Sequence, residues 1–455
     1  MDFALNLTVM DGLGVRGEAV DQELSTPDDA SALAAAVHSP LATASAPWTQ
    51  SDALGQGSQG ADPVGETGFW PDCNPERELL TSRAWVEIDA AQLRENLRLL
   101  QARLSPDTEI WAVVKANAYG HGACLVAPIA LAAGAKGLCV ATLSEGIELR
   151  QAGLQAPILV LGALNTWAEL QQAMAARLEV SLTRAEQIPL MRQVARWAGR
   201  PVPVHVNVDT GMTRLGIPWQ EAAAVWGQIC RIPELEGCSL FSHFATADEP
   251  DSPVMAQQEA RFAQVVEQIR QAGDPLPPLH LDNSAGALTH LHYSRVRLGL
   301  ALYGLSPAPH LQVPGLRPIL RLKARLTHIQ TVPAHTGVSY GHCYITSRPS
   351  RIATLAIGYA DGIPRRLSGW LRGWVRGGLI QQVGTITMDQ CMWDVTERPD
   401  TQVGDVVELL GPHLASAGFS IQDWADQLGT ISYELLCGLS ARLPRVLVNV
   451  LGEAG

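Results

Sequence analysis

The chain has 455 residues, 47% of them apolar, with a formal net charge of −12. Thirteen acidic residues and only two arginines lie within residues 1–80, so the remainder is nearly balanced, with 31 basic and 32 acidic residues. The length allows a large barrel plus a smaller domain, and the balanced charge gives no reason to expect nucleic acid or an anionic membrane as a partner.

Eight cysteines are scattered without a Cys-x-x-Cys pair or a Cys and His cluster at metal-ligand spacing. This usage predicts free thiols in a reducing cytosol and no bound metal. The N-terminus has no basic stretch before an apolar run, and no run of about 18 apolar residues follows. We therefore expect a cytoplasmic protein without a membrane span.

Residues 1–80 are rich in Ser, Ala, Gly, Asp and Gln, a composition that predicts a disordered acidic tail. The segment WVEID, from Trp85, then alternates like a strand. Asp89 is in position to cap the amphipathic helix that follows, AAQLRENLRLLQARL, with Gln92 at the capping-box position. Ordered structure is therefore expected to begin near residue 81.

Short apolar runs separated by helical segments, such as 184–198 and 254–272, follow this first helix. Eight such runs lie at 110–115, 137–141, 158–161, 178–182, 203–208, 237–242, 279–282 and 295–299. This alternation predicts an α/β fold, a (β/α)8 TIM-type barrel over residues 81–317. After residue 318 strands and Gly-rich turns dominate, so a mainly β C-terminal domain is expected over 318–455.

Polar residues follow the predicted barrel strands, at the end where barrel enzymes build their sites. They are Lys115 after the first strand, Asn207 and Asp209 after the fifth, His243 after the sixth, Asn283 and Ser284 after the seventh, and Arg297 and Gly299 at the eighth. Phosphate groups commonly bind after strands seven and eight, where the Ser284 hydroxyl and a close backbone approach at Gly299 are suited to them. A phosphorylated ligand is predicted.

Lys115 closes an apolar strand, and a buried ammonium is costly unless it is paired, deprotonated or covalently used. A surface lysine is the alternative for this residue alone, but residues 112–122 read AVVKANAYGHG, which resembles the pyridoxal phosphate lysine motif of alanine racemases. The resemblance spans about residues 83–446. Its further motifs are VDTGMTRLGI (208–217), SHFATADE (242–249), HLDNSA (280–285), VRLGLALYGL (296–305), GVSYGHCY (337–344), IGYADG (357–362), TMDQ (387–390), ISYE (431–434) and RLPR (442–445).

The resemblance implies two catalytic residues. Lys115 would hold pyridoxal phosphate as a Schiff base and act as the base on one face of the substrate Cα. Tyr340 would act on the opposite face from the second subunit of a homodimer, since inversion needs acids and bases on both faces. Arg214 would lie beside this phenol in the substrate site and lower its pKa from about 10.

The resemblance also assigns supporting residues. Arg297 would donate to the pyridine nitrogen with His280 orienting it, and His243 and Asn283 would line the cofactor pocket. The phosphate would be held by Tyr119, Ser284, Gly299, Leu300 and Tyr433. The Met388 backbone would bind the substrate carboxylate, and the substrate entrance would be lined by Asp248, Tyr359 and Arg365.

Two positions depart from the family pattern. Asn207 replaces a lysine that is carbamylated in many alanine racemases, and an amide cannot form a carbamate. Arg214 is therefore expected to be held by the Asn207 amide or by an anion such as chloride. Thr385 stands where many relatives carry an arginine, which removes a charge from the entrance.

The implied function is interconversion of L- and D-alanine for peptidoglycan synthesis. Three alternatives stay open: a broader racemase acting for example on serine, a barrel-type pyridoxal phosphate decarboxylase, and a non-catalytic pyridoxal phosphate carrier. Such decarboxylases typically use a catalytic cysteine and a glycine-rich phosphate motif, a pair that we do not find here. Carriers lack a second domain with an opposite-face base.

Overall fold

The computed structural model describes residues 75–289 and 293–450. The predicted disordered tail lies outside the described residues, except for a short helix, Pro75–Leu80. Strand β1 (Ala84–Asp89) follows, and helix Ala90–Gln101 begins after it. The Asp89 carboxylate accepts a hydrogen bond from the Gln92 backbone at 3.0 Å, which confirms the predicted N-cap.

The next strands build a nearly closed parallel barrel. They are β2 (Glu109–Val113), β3 (Gly137–Val140), β4 (Ile158–Ala163), β5 (Glu179–Leu182), β6 (Val202–Asp209), β7 (Ile217–Pro218), β8 (Leu235–Phe241), β9 (Leu279–His280) and β10 (Arg295–Leu298). The strand order is β10-β2-β3-β4-β5-β6-β8-β9, with β7 paired to β6 alone. Each of the eight predicted apolar runs overlaps one strand of this barrel, so the barrel prediction is confirmed.

Helices alternate with these strands. In chain order after Ala90–Gln101 they are Ala123–Ala132, Leu143–Gln151, Trp167–Ala175, Ile188–Ala198, Trp219–Cys230, Pro253–Gln271 and Gly286–Thr289. Across the residues that the structure describes, no helix is long and apolar enough to cross a membrane.

The C-terminal part is mainly β, as predicted. Its strands are β11 (Leu320–Val332), β12 (Gly337–Val338), β13 (Tyr344–Ile345), β14 (Ser350–Leu355), β15 (Arg372–Val375), β16 (Gly378–Val383), β17 (Cys391–Asp394), β18 (Val406–Leu410) and β19 (Arg445–Val448). The larger sheet has the order β14-β17-β16-β15-β18-β11-β1-β19, and β12 pairs with β13. Three helices accompany it: Pro412–Ser416, Ile421–Leu428 and Ser432–Cys437.

The predicted barrel boundary at residue 81 is wrong for strand β1, because residues 81–317 were all assigned to the barrel. β1 instead lies in the C-terminal sheet, antiparallel to β11 and parallel to β19. All six of its residues are buried. Alternation along a strand indicates that the strand exists but not which sheet it joins, since its partners come from more than 200 residues further along the chain. The chain thus enters the barrel from the other domain.

Candidate active site

A left-handed turn follows the first barrel strand and begins directly after Lys115. Residues Ala116, Asn117, Ala118 and Tyr119 have φ between 51° and 54°. This conformation costs L-residues about 1–2 kcal/mol each and persists only where the surroundings impose it. Glu145 supplies part of that constraint, because its Oε1 accepts the Ala116 backbone N–H at 2.7 Å.

The turn packs closely on the helix Ser432–Cys437, which carries Tyr433. Gly120 contacts this helix and has a φ of 80°. A Cβ at Gly120 would lie 2.1 Å from the Leu436 carbonyl oxygen. Only glycine permits this approach. The close contact brings a residue of the C-terminal part to the mouth of the barrel.

A cavity of about 690 Å³ opens at the carboxyl ends of the barrel strands. It collects most of the residues that the sequence singled out. Those that line it are Lys115, Tyr119, Asn207, Asp209, Arg214, His243, Asp248, Asn283, Ser284, Arg297, Gly299, Leu300 and Tyr433.

Lys115 is half-buried in this cavity. Its pKa is lowered mainly by burial and further by the positive charge of Arg214. Both effects disfavour the ammonium form, so more of the amine is free to attack a carbonyl at neutral pH.

Hydroxyl and amide donors gather at the end of β10. The Ser284 Oγ accepts the backbone N–H groups of Gly299 at 3.0 Å and Ala301 at 3.3 Å. A Cβ at Gly299 would lie 2.5 Å from the Tyr119 hydroxyl, so glycine leaves this space open. Burial raises the pKa of Tyr119 above its usual value and that of Tyr433 to about 12, which keeps both phenols protonated as donors. This donor set fits a phosphate dianion.

Arg297 is buried on the cavity floor. Its Nη2 donates to the Ser242 carbonyl at 2.6 Å and the Leu281 carbonyl at 3.1 Å, and it lies 3.1 Å from His243 Nδ1. Its Nη1 lies 2.8 Å from Nδ1 of His280, the buried histidine expected to orient it. Burial lowers the pKa of Arg297 to about 10, and burial next to this cation lowers the pKa of His243. A charged guanidinium beside a neutral imidazole is therefore expected at neutral pH.

Five residues given site roles do not line the cavity: His280, which is buried beside Arg297, and four exposed residues. Tyr340, Tyr359 and Met388 have exposed fractions of 72%, 42% and 53%, and Arg365 is also exposed. Tyr340 and Met388 are linked through the segment 385–388, because the Thr385 hydroxyl donates to the Tyr340 carbonyl at 2.9 Å. We call Tyr340, Tyr359 and Met388 the β-domain patch.

Arg214 has an exposed side chain at the cavity rim. Its guanidinium forms no hydrogen bond or ion pair with any residue in the described part of the chain, and the expected Asn207 amide contact is therefore not made. The alternative, an anion bound between Asn207 and Arg214, stays a prediction.

Sequence reasoning missed several residues of the site. Glu145 stabilises the turn after Lys115. The sequence feature that could have drawn attention to Glu145 is the capping box that it forms with Thr142. Met212, Phe244 and Cys437 also line the cavity, and nothing in the spacing of these residues marks them out.

The chain was compared with known proteins. The description "Alanine racemase, N-terminal domain" matches residues 88–307, and "Alanine racemase, C-terminal domain" matches residues 319–447. The chain belongs to the alanine racemase family. This family depends on pyridoxal phosphate, and the L/D-alanine interconversion that gives it its name follows from membership.

Individual relatives agree with this assignment. An alanine racemase of Synechocystis sp. is 48% identical over 81% of this chain and 100% of its own length. The solved alanine racemase of Streptomyces coelicolor superimposes with a TM-score of 0.74 at 38% identity, over 82% of this chain and 100% of that one. A solved Bacillus anthracis alanine racemase with bound L-Ala-P superimposes with a TM-score of 0.73 at 35% identity. The match covers 80% of this chain and 95% of that one. The racemase interpretation is thus favoured over the decarboxylase and the carrier.

Proposed function

We propose that this family member inverts alanine with two bases, Lys115 on one face of the substrate Cα and Tyr340 of a second subunit on the other. One observation carries the proposal: Lys115 lies in the cavity with a lowered pKa, whereas Tyr340 is 72% exposed and does not line the cavity of its own chain. A base that must reach the cavity but faces outward is suited to the site of a partner copy.

The described residues fit pyridoxal phosphate. Lys115 would attach it, the donors around Ser284, Gly299 and Tyr119 would hold its phosphate, and Arg297 would face the pyridine nitrogen. When bound, the cofactor withdraws electrons from the substrate Cα and so acidifies the proton there.

The protein groups then move that proton. Lys115 Nζ accepts or returns it on one face, and the Tyr340 hydroxyl does so on the other. Arg214 would favour the ionised phenol by its charge, and the Met388 backbone N–H would hold the substrate carboxylate. Asp248, which lines the cavity, would stand at the entrance.

The cellular setting belongs to the same proposal. D-alanine made by a homodimer in the cytoplasm would supply peptidoglycan synthesis. The seven described cysteines are free, as expected in a reducing compartment. Serine is a second candidate substrate, because Thr385 stands where the family resemblance places an arginine, so the proposed entrance carries one charge fewer.

Cofactor attachment is tested by borohydride reduction of the holoprotein and peptide mapping. The chain contains only three lysines, Lys115, Lys136 and Lys323. Lys323 is paired with Glu87 at 2.8 Å, and Lys136 is exposed. The pyridoxyl label should appear on Lys115, and a label on either other lysine would contradict the proposal.

The two-base mechanism is tested by Tyr340→Phe, assayed from each alanine enantiomer in deuterated water. Loss of one base should slow racemisation by about 10²–10⁴-fold. Exchange of the Cα hydrogen should survive for the enantiomer that Lys115 serves. Tyr344→Phe, at the neighbouring strand β13, is the matched control and should racemise normally. Wild-type rates in both directions with Tyr340→Phe would refute the mechanism.

A further inference from the structure

A hydrogen-bonded chain of side chains runs through the barrel interior away from the cavity. Arg297 Nη1 lies 2.8 Å from His280 Nδ1, and His280 Nε2 lies 2.7 Å from Ser239 Oγ. Ser239 Oγ lies 2.5 Å from His205 Nδ1, and His205 Nε2 lies 2.7 Å from Glu179 Oε2. We call these five residues the polar chain.

The hydrogen bonds of the polar chain can all point in one direction only, from Arg297 towards Glu179. A guanidinium can only donate, so His280 Nδ1 must accept, and the proton of the neutral ring then sits on Nε2. His280 Nε2 therefore donates to Ser239 Oγ, whose own proton goes to His205 Nδ1. His205 Nε2 then donates to the Glu179 carboxylate, which can only accept when ionised. A single set of protons satisfies every member.

The inner members are deeply buried, and the outer end is not. Ser239, His205 and His280 are 0–1% exposed, whereas the Glu179 side chain is 21% exposed at the start of β5. The start of a barrel strand lies on the face opposite Lys115. Burial lowers the pKa of both histidines, which keeps the rings neutral as this arrangement requires.

We propose that Glu179, His205 and Ser239 are positioning residues that set, from the opposite face of the barrel, how strongly Arg297 acts on the cofactor. Aligned hydrogen bonds polarise one another in a low-dielectric interior, so the carboxylate makes His280 Nδ1 a stronger acceptor. A stronger acceptor holds the guanidinium and draws its positive charge away from the cavity. This inference rests on the proposed role of Arg297.

The outer end also resembles a metal site, and the polar chain argues against one. Ligand atoms of Glu179, His205 and Cys238 lie within 4.8 Å of one another. A cation on His205 Nε2 would need the lone pair of that nitrogen, so the ring proton would move to Nδ1. Every hydrogen bond along the polar chain would then reverse its direction. His280 Nδ1 would carry a proton and face the Arg297 guanidinium, which leaves two donors opposite each other. Burial also raises the pKa of the Cys238 thiol to about 12. The cation of Arg295 already stands near His205.

The direction of the polar chain can be measured by nitrogen-15 NMR of the histidines in the holoprotein. His205→Asn and His280→Asn assign the two signals. Both rings should be neutral with the proton on Nε2. A proton on Nδ1 of either ring, or a metal-shifted Nε2 signal, would overturn the inference. This result does not depend on the identity of the substrate or on the role of Tyr340.

The effect on the site is tested by Ser239→Ala, which breaks the polar chain, and Glu179→Gln, which removes only its terminal charge. Glu109→Gln is the matched control, because Glu109 also begins a barrel strand and pairs with Arg295 at 2.8 Å but does not belong to the polar chain. The readouts are kcat, KM and the pH titration of the bound cofactor's visible absorbance.

Ser239→Ala should lower kcat by about tenfold, the order that loss of an outer hydrogen-bond partner costs at metal sites, with KM changing less than about twofold. More positive charge would then face the cavity, so the absorbance midpoint should move to lower pH, and Glu179→Gln should shift it less in the same direction. Unchanged midpoints in both variants, or an equal shift in Glu109→Gln, would overturn the inference. If Lys115 carried no label, the proposed function would fail while the tautomers could still be as described.

Discussion

The proposed attachment of the cofactor at Lys115 requires the deprotonated amine, and two physical effects favour this form. Burial lowers its pKa first and the Arg214 cation second. The rate of cofactor attachment to the apoprotein should rise with pH and level off above the pKa of Lys115. We expect the midpoint below 10.5, the usual lysine value. Arg214→Gln should move the midpoint upward, because removing a nearby cation stabilises the ammonium form.

Stopped-flow absorbance of apoprotein mixed with pyridoxal phosphate over a pH series measures this midpoint. Arg184→Gln is the control, since Arg184 also follows a barrel strand but is exposed and bonds to Asn165. It should leave the midpoint in place. A downward shift with Arg214→Gln would contradict the electrostatic account of Lys115.

Gly299 lies at the proposed phosphate site, where the absence of a side chain leaves room for the Tyr119 hydroxyl. A methyl group there would lie 2.5 Å from the Tyr119 hydroxyl and would displace it. Overpacking of this kind costs about 1–3 kcal/mol, so Gly299→Ala should weaken pyridoxal phosphate binding at least about fivefold. Equilibrium dialysis measures the loss. Gly438→Ala is the control, because Gly438 has a φ of −74° and a Cβ there would meet nothing closer than 3.3 Å.

Among elements, the turn after Lys115 is held in a conformation that its own sequence disfavours. Ala116 has a φ of 51° and no glycine relieves the strain, so the constraint comes from contacts such as the one to Glu145. Ala116→Gly should therefore be neutral or stabilise the fold by up to about 1 kcal/mol, because glycine adopts this conformation freely.

The matched variant is Ala224→Gly in the right-handed helix Trp219–Cys230, where Ala224 is also exposed. That change should cost about 1 kcal/mol in the free energy of unfolding. Urea unfolding of both apoproteins gives the comparison. An equal loss in the two variants would show that the turn is not strained.

The same elements show what the sequence could predict. The eight barrel strands were found because buried parallel strands are short apolar runs, and Lys115 and Ser284 were found because they follow such runs. The left-handed turn was not predicted, since Ala and Tyr carry no signal for positive φ. The partners of β1 and the polar chain were also missed: Ser239 and His205 are 34 residues apart, and their contact depends on the register of two strands.

At the scale of the whole molecule, the two residues of the proposed two-base mechanism lie in separate places on one chain. Lys115 and the proposed phosphate donors line the cavity, whereas Tyr340, in the β-domain patch, is exposed. A two-fold symmetric pair of chains would join each cavity to the patch of its partner, giving two equivalent sites.

Complementation of two inactive variants tests this arrangement. Lys115→Ala lacks the lysine and Tyr340→Phe lacks the phenol, so each alone should be almost inactive. If the two variants are coexpressed in equal amounts, about half of the dimers would be mixed. Each mixed dimer would contain one intact site out of two, so the activity per chain would be about one quarter of the wild-type value. Racemisation by the purified mixture, with differently tagged subunits to isolate mixed dimers, measures this. Mixed dimers no more active than the parents would mean that Lys115 and Tyr340 act within one chain or that Tyr340 is not a base.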